Sequence, residues 1–256
     1  MRNVLNTLRV LEEVATRQPV GVGELARALD MPKSSVQRAL HTLNTAGWIR
    51  AGNGEITRWV VTTKALDVGR HASGDLGMRD AAMPIMEDLR LRTEETIHLE
   101  VPEGNKMVLI ERLETPKPVR IALALGSSKP MHASANGKAV LANSAPEVIA
   151  RQLAAGLPRY TDTTITDPER LRAELDEIRA RGYATNNGEW RSDIAAVGAV
   201  VLGGDAHPVA SLSVSTPITR MTEQARSFFG ALVSEAAKTL SARLGHLPER
   251  TPQGSV

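Results

Sequence analysis

Met31-Pro32-Lys33-Ser34-Ser35-Val36-Gln37-Arg38-Ala39-Leu40-His41-Thr42-Leu43 is the stretch on which the reading of this chain turns. Val36, Ala39, Leu40 and Leu43 recur at i, i+3, i+4 and i+7, the apolar stripe of an amphipathic helix. Pro32 stands near the first helical position, where its missing N–H costs nothing, and Gly47 supplies the stop. The opposite face displays Lys33, Ser34, Ser35, Gln37, Arg38 and His41. Upstream, a short helix over 22–29 buries Leu25, Ala26 and Leu29. Before it, Val4, Leu8, Leu11 and Ala15 predict an opening helix that ends at Gln18-Pro19.

Two short helices joined by a tight turn, the second with a polar and basic outer face, form a helix-turn-helix. Its second helix enters the major groove of double-stranded operator DNA. Gln pairs bidentately with adenine, Arg with guanine, and Ser donates to base or phosphate. After Gly47, Trp48-Ile49-Arg50, the turn Ala51-Gly52-Asn53-Gly54 and a return strand over 57–62 predict a wing. Arg50 and Arg58 flank its tip, within reach of phosphate. Gly21-Val22-Gly23-Glu24-Leu25-Ala26 imitates a relaxed dinucleotide fingerprint. Such a site needs a strand just before it, and 5–17 reads as helix.

Bulk properties agree with a DNA-binding head on a larger body. The 256 residues accommodate two domains. At 42% hydrophobic and 23% charged a packed fold is expected, and with only 3% aromatic its cores must be aliphatic. No run approaches the ~18 apolar residues of a membrane span and no apolar leader opens the chain, so a cytoplasmic protein without a membrane partner is expected. The absence of cysteine removes disulfides, thiolate metal sites and thiol nucleophiles, and fits a reducing compartment. Net charge is only +2, but residues 1–70 carry ten Lys/Arg against six Asp/Glu. That basic head on a slightly acidic remainder suits a nucleic-acid module joined to something else.

Beyond residue 64 the pattern changes. A weak helix over 64–71 and a flexible break over 73–77 precede a connecting helix over 78–92. Its stripe of Ala82, Ile85, Met86 and Leu89 fits a dimer contact or packing within its own domain equally well. Strands are predicted over 96–101, 106–113, 119–125, 194–203 and 209–216. Helices are predicted over 146–155, over 168–181 with Asp167 or Thr166 as cap and Gly182 as stop, and from a Thr222 cap to 244. The fold class is α+β, with a winged helix-turn-helix over 1–70, a linker and connecting helix over 71–92, a body over 93–245 and a fraying tail over 246–256.

Leu25-Ala26-Arg27, the stretch from Met31 to Leu40, Leu43 and Ala46-Gly47-Trp48 resemble the DNA-binding half of the isocitrate lyase regulator (IclR) family. Gly126-Ser127-Ser128-Lys129-Pro130-Met131-His132-Ala133-Ser134-Ala135-Asn136-Gly137-Lys138-Ala139 resembles that family's turn into the helix below its effector pocket. Arg181-Gly182-Tyr183-Ala184, Glu189-Trp190 and the run from Ala210 to Pro217 resemble its closing strands, so the similarity runs collinearly from about Asn3 to Leu244. The resemblance implies a GAF/profilin-like effector-binding body and a transcriptional repressor or activator that binds a palindromic operator as a homodimer, with a dimer of dimers as a higher form. It implies effector contact at the amides of Ala135 and Asn136 and at Ser213 and Ser215, with a carboxylate at position 186 and a thiol at 196. Asn186 and Ala196 stand there instead. The expected effector is therefore a bulkier or more apolar organic acid than the small keto acids of some relatives.

Elementary chemistry supports such a pocket. Unpaired N–H groups at a helix start seat a carboxylate, and alternation points Ser213 and Ser215 the same way. Strand serines that merely bond neighbouring backbone are the plain alternative. Enzyme readings find less. His132 to Ala139 has His where a phosphate loop needs its first Gly and Ala where it needs Ser or Thr, and no Gly-x-Ser-x-Gly elbow occurs. His98 with Glu100 lacks a third metal ligand and reads as a satisfied or exposed histidine. His132 with Asp193 or Glu189 is an acid–base pair only on paper. No catalytic residue, metal or cofactor is assigned, and a hydrolase or isomerase with a DNA-binding head is the alternative.

Overall fold

The computed structural model describes residues 2–52, 54, 56–72, 76–121 and 123–245. The break at 73–75 and the tail over 246–256 lie outside the described residues, as does Asn53 of the wing turn. The chain divides into two compact units, 1–74 and 75–256.

In the first unit α1 (Arg2–Arg17), α2 (Val22–Ala28) and α3 (Lys33–Thr45) precede a two-stranded hairpin of β1 (Ile49–Ala51) and β2 (Trp59–Val61), then α4 (Lys64–Ala72). The predicted stripe of α3 is the buried one: Val36, Ala39, Leu40 and Leu43 join Leu25, Ala26 and Ile49 in one core. The stripe expected on α1 is not. Val10 and Val14 are fully buried, whereas Val4, Leu5 and Leu8 are exposed and Ala15 faces solvent. Apolar residues occur on more than one side of α1, and packing against the first unit's core selects the side through Val10 and Val14.

The second unit begins with α5 (Leu76–Thr93) and continues β3 (Thr96–Glu103), β4 (Lys106–Leu113), β5 (Ser128–Pro130), α6 (Ala135–Ala142), α7 (Pro146–Ala154), α8 (Pro168–Arg181), β6 (Ala184–Asn187), β7 (Ile194–Leu202), β8 (Pro208–Pro217) and α9 (Glu223–Gly245). Six strands form one antiparallel sheet in the order β5-β4-β3-β8-β7-β6. One face, through Ile97, Leu99, Val197, Leu212 and Val214, packs on α5 and α9. Met78, Ala82, Ile85, Met86 and Leu89 are buried in that core, so the stripe of α5 serves its own domain. Behind the other face, Val140 and Leu141 of α6 pack with Leu171, Leu175 and Ile178 of α8. The caps of α8 follow the sequence: Asp167 accepts from the Arg170 amide at 2.8 Å, and Gly182 closes the helix at φ 84°.

The strand expected over 119–125 is absent among the described residues. Ile121 and Leu123 are buried alternately, but the outer edge of β4 is already paired. Leu109 exchanges backbone bonds with Gly126 and Ser127 at 2.8 and 3.0 Å, and β5 continues the ladder. Alternation reported burial, whereas a strand also needs a free edge to pair with. The segment instead roofs the sheet, Ile121 and Leu123 packing with Leu109, Ile194 and Trp190.

Candidate DNA-reading face and effector site

The DNA-reading candidates are placed by α3. With its apolar stripe docked, Lys33, Ser34, Gln37, Arg38 and His41 are exposed. Ser35 is half-buried and, with Arg38, borders a cleft of about 270 Å³ against Asn3, Asn6 and Thr7 of α1. The C-terminus of α3 is held from the hairpin side: Thr62 Oγ1 donates to the Gly47 carbonyl at 2.6 Å and Lys64 Nζ to that of Ala46 at 2.8 Å. Lys64 also lies over the Trp48 ring at 5.4 Å. Arg50 is exposed on β1. Arg58 is engaged: its two terminal nitrogens bond Glu24 at 3.3 and 3.1 Å, and one also reaches the Pro19 carbonyl at 3.0 Å. Glu24 accepts as well from the Gly21 amide, and that bond, with Arg58 beside it, holds its carboxyl below the usual range. The Gly21–Ala26 glycines thus open α2, as a helix start and not a nucleotide loop.

The effector candidates converge through strand register. Asn186 pairs with Ala196, Ala196 with Ser215, and Ser215 with Thr96, giving one row across β6, β7, β8 and β3. In the next row on that face Gly198 pairs with Ser213, and Ser213 with His98. The start of α6 sits directly over this row. A Cβ on Gly198 would lie 3.2 Å from both the Ala135 carbonyl carbon and the Asn136 nitrogen, so glycine lets the helix end approach the sheet. Ser134 caps α6, its hydroxyl accepting from Gly137 at 3.2 Å, which leaves the Ala135 and Asn136 amides at the open first turn. All six candidates are buried.

Their hydrogen bonding differs. Ser213 Oγ and Asn136 Oδ1 are buried without a partner, while the Asn136 amide nitrogen donates to the Ser211 carbonyl at 3.3 Å. Ser211, which the sequence did not single out, takes the plain alternative and bonds the Ala199 carbonyl at 2.8 Å. Asn186 clamps local backbone, donating to Ala133 at 3.2 Å and accepting from Glu189 at 2.9 Å. Ala196 offers only space.

The sequence reading of His98 needs correction. It is neither exposed nor satisfied: the ring is fully buried and both nitrogens lack a partner, with Glu100 3.9 Å away. Strand alternation turns it to the Ser213 face of a sheet covered on both sides. Burial, with Lys129 and Arg112 nearby, pushes its pKa well below the usual histidine value, so the ring is neutral. Glu100 pairs with Lys129 at 2.5 Å, and burial nevertheless raises its carboxyl. His132 forms no acid–base pair with the proposed partners. Its Nε2 meets the Pro158 carbonyl at 3.0 Å, while Asp193 bonds Arg191 and Glu189 bonds Lys138. Among the described residues no group of three acidic or histidine side chains is placed to hold a metal, and no helix is long and apolar enough to cross a membrane.

Comparison with known families decides the assignment. Residues 71–242 match the family described as bacterial transcriptional regulator IclR C-terminal, and residues 4–52 match the IclR helix-turn-helix domain. The chain belongs to the IclR family of transcriptional regulators. It is 29% identical to the transcriptional repressor IclR of Escherichia coli (strain K12) over 249 residues, 96% of this chain and 90% of that protein. The Thermotoga maritima IclR crystal structure is similar at a TM-score of 0.81 and 27% identity, covering 96% of this chain and 100% of that one. An IclR homolog from Microbacterium hydrocarbonoxydans, solved with 4-hydroxybenzoate, is similar at 0.80 and 26%, covering 94% and 98%. The α+β body is thus an IclR-type effector-binding domain, and the head an IclR-type DNA-binding domain.

Proposed function

We propose that this IclR-family regulator binds a roughly palindromic operator as a homodimer, and that an aromatic or comparably bulky carboxylate sets its DNA affinity. The observation that carries the effector half is the unpaired Ser213 hydroxyl, buried where the open first turn of α6 meets the sheet. A buried hydroxyl without a protein partner leaves a hydrogen bond to offer a guest, and a helix start favours an anionic one. Ala196 presents only a methyl on that face, and beside it Ile194 joins Leu109 of the sheet and Ile121 and Leu123 above it in an apolar cluster. The 4-hydroxybenzoate bound by the Microbacterium homolog is a ligand of this character. The exposed Val4, Leu5 and Leu8 of α1 favour a second copy over a lone head, and a cytoplasmic site of action follows from DNA as partner. The named relatives are regulators, which favours a ligand-gated binder over an enzyme. The effector acts by binding one DNA-affinity state better than the other.

On the reading face, Gln37→Ala and Arg38→Ala are each expected to weaken binding to an operator selected from random duplexes by about 1–3 kcal/mol. Titration at fixed salt checks this, and unchanged affinity in both removes α3 as the reader. In the body, Ser215→Ala is expected to lower benzoate affinity about tenfold with apo operator binding intact. Calorimetry showing no change takes Ser215 out of the site.

A further inference from the structure

The cluster around His98 lies beyond the contacts assigned so far. His98 presents two buried, unpartnered ring nitrogens on the face that carries Ser213, its direct register partner. Two residues along β3, Glu100 faces the same way and holds Lys129 of β5 at 2.5 Å. We propose that His98, backed by the Glu100–Lys129 pair, is the far pole of the effector cleft and selects an aromatic acid with a neutral hydroxyl opposite its carboxylate. The proposal rests on the reading that the carboxylate sits at the start of α6.

Three observations carry it. The first is distance. Gly198, beneath the α6 start, and His98 flank Ser213 in one row, two strand spacings apart, or about 10 Å. One ring with substituents at opposite ends spans such a gap. The second is the apolar flank of that row: Leu109, register partner of Glu100, and Ile194, two residues before Ala196, are buried in one cluster with Ile121 and Leu123, a surface that suits a ring face. The third is charge. Lys129 is matched by Glu100, and Arg112, the neighbour of His98 on β4, donates to Glu114 at 2.6 Å and to the Leu123 carbonyl. A neutral imidazole has one donor and one acceptor, the complement of a hydroxyl. A second carboxylate would bring a charge that no free cation among the described residues there answers.

The test is calorimetry on the full chain with benzoate, 4-hydroxybenzoate and terephthalate. Wild type is expected to bind 4-hydroxybenzoate at least about tenfold more tightly than benzoate, with terephthalate weakest. His98→Leu is expected to erase that preference by weakening 4-hydroxybenzoate about tenfold. His98→Gln, which keeps a donor and an acceptor, should retain part of it, and Ser215→Ala should weaken both monoacids alike. Equal affinities in wild type, tighter terephthalate, or a preference that survives His98→Leu overturns the assignment. So does a His98→Leu protein that melts higher yet discriminates as before, since His98 would then be only a buried polar burden. If none of the three acids binds, the carboxylate reading itself fails; benzoate binding without discrimination removes only the His98 pole.

Discussion

Lys138→Met is expected to destabilise the C-terminal unit by about 3–5 kcal/mol. Lys138 is the one charged residue of α6, a helix buried along its whole length, and is itself 1% exposed. Its ammonium lies 2.7 and 2.8 Å from the two oxygens of Glu189 and 3.5 Å from Glu174. Glu174 retains Arg181 at 3.0 Å if the lysine goes, but among the described residues no second cation pairs with Glu189. Burial already pushes the Glu189 carboxyl up against the pull of Lys138, and without that pull it rises further. A raised carboxyl pKa favours the folded state most below the unfolded value and progressively less as pH rises above it. The deficit of the variant is therefore expected to shrink as pH falls from neutrality toward the ordinary carboxylate range. Lys138→Met/Glu189→Leu removes both charges and should recover most of the loss. Urea unfolding followed by tryptophan emission measures all three terms. A single change costing under about 1 kcal/mol would show that water reaches the pair.

This ionic cluster was not legible in the sequence, because its partners lie 51 residues apart. A clue existed: Lys138 is set in Ala135-Asn136-Gly137-Lys138-Ala139-Val140-Leu141-Ala142, a helix with no other charge. A lone cation there implies a buried anion somewhere. His98 and Glu100 carried a similar signal, polar residues alternating with Ile97, Leu99 and Val101 in a strand whose other face is apolar. What was legible rested on local rules. The α3 stripe, the Asp167 cap, the Gly182 stop and the 106–113 strand all depend on neighbours within a turn or two. The convergence of Ser213, Ala196 and the α6 start was implied by family resemblance, and strand register supplies its physical cause. The buried side of α1 and the unpaired 119–125 segment escaped because both depend on distant partners: the core α1 packs into and an edge already taken.

The same substitution should act with opposite sign at two helical glycines. Gly137→Ala in α6 would place its methyl 2.3 Å from both the Cα and the carbonyl oxygen of Met131, inside any real contact distance. The obstacle is backbone, so no rotamer relieves it. The chain from Met131 to Ser134 must shift, and it carries the Ser134 cap and the Ala133 carbonyl that Asn186 holds. A helical Gly→Ala change otherwise gains about 0.5–1 kcal/mol from chain entropy. Here overpacking should exceed that gain and cost more than about 3 kcal/mol. Gly69 lies within α4, and a Cβ built there meets nothing within 4 Å, so Gly69→Ala should realise the gain. Benzoate binding should fall with Gly137→Ala even where folded protein is recovered, because the displaced turn carries the first-turn amides of α6 away from Gly198. If Gly137→Ala unfolds in urea at the wild-type midpoint, the close seating of Met131 under α6 is wrong, and with it the geometry assigned to the carboxylate seat.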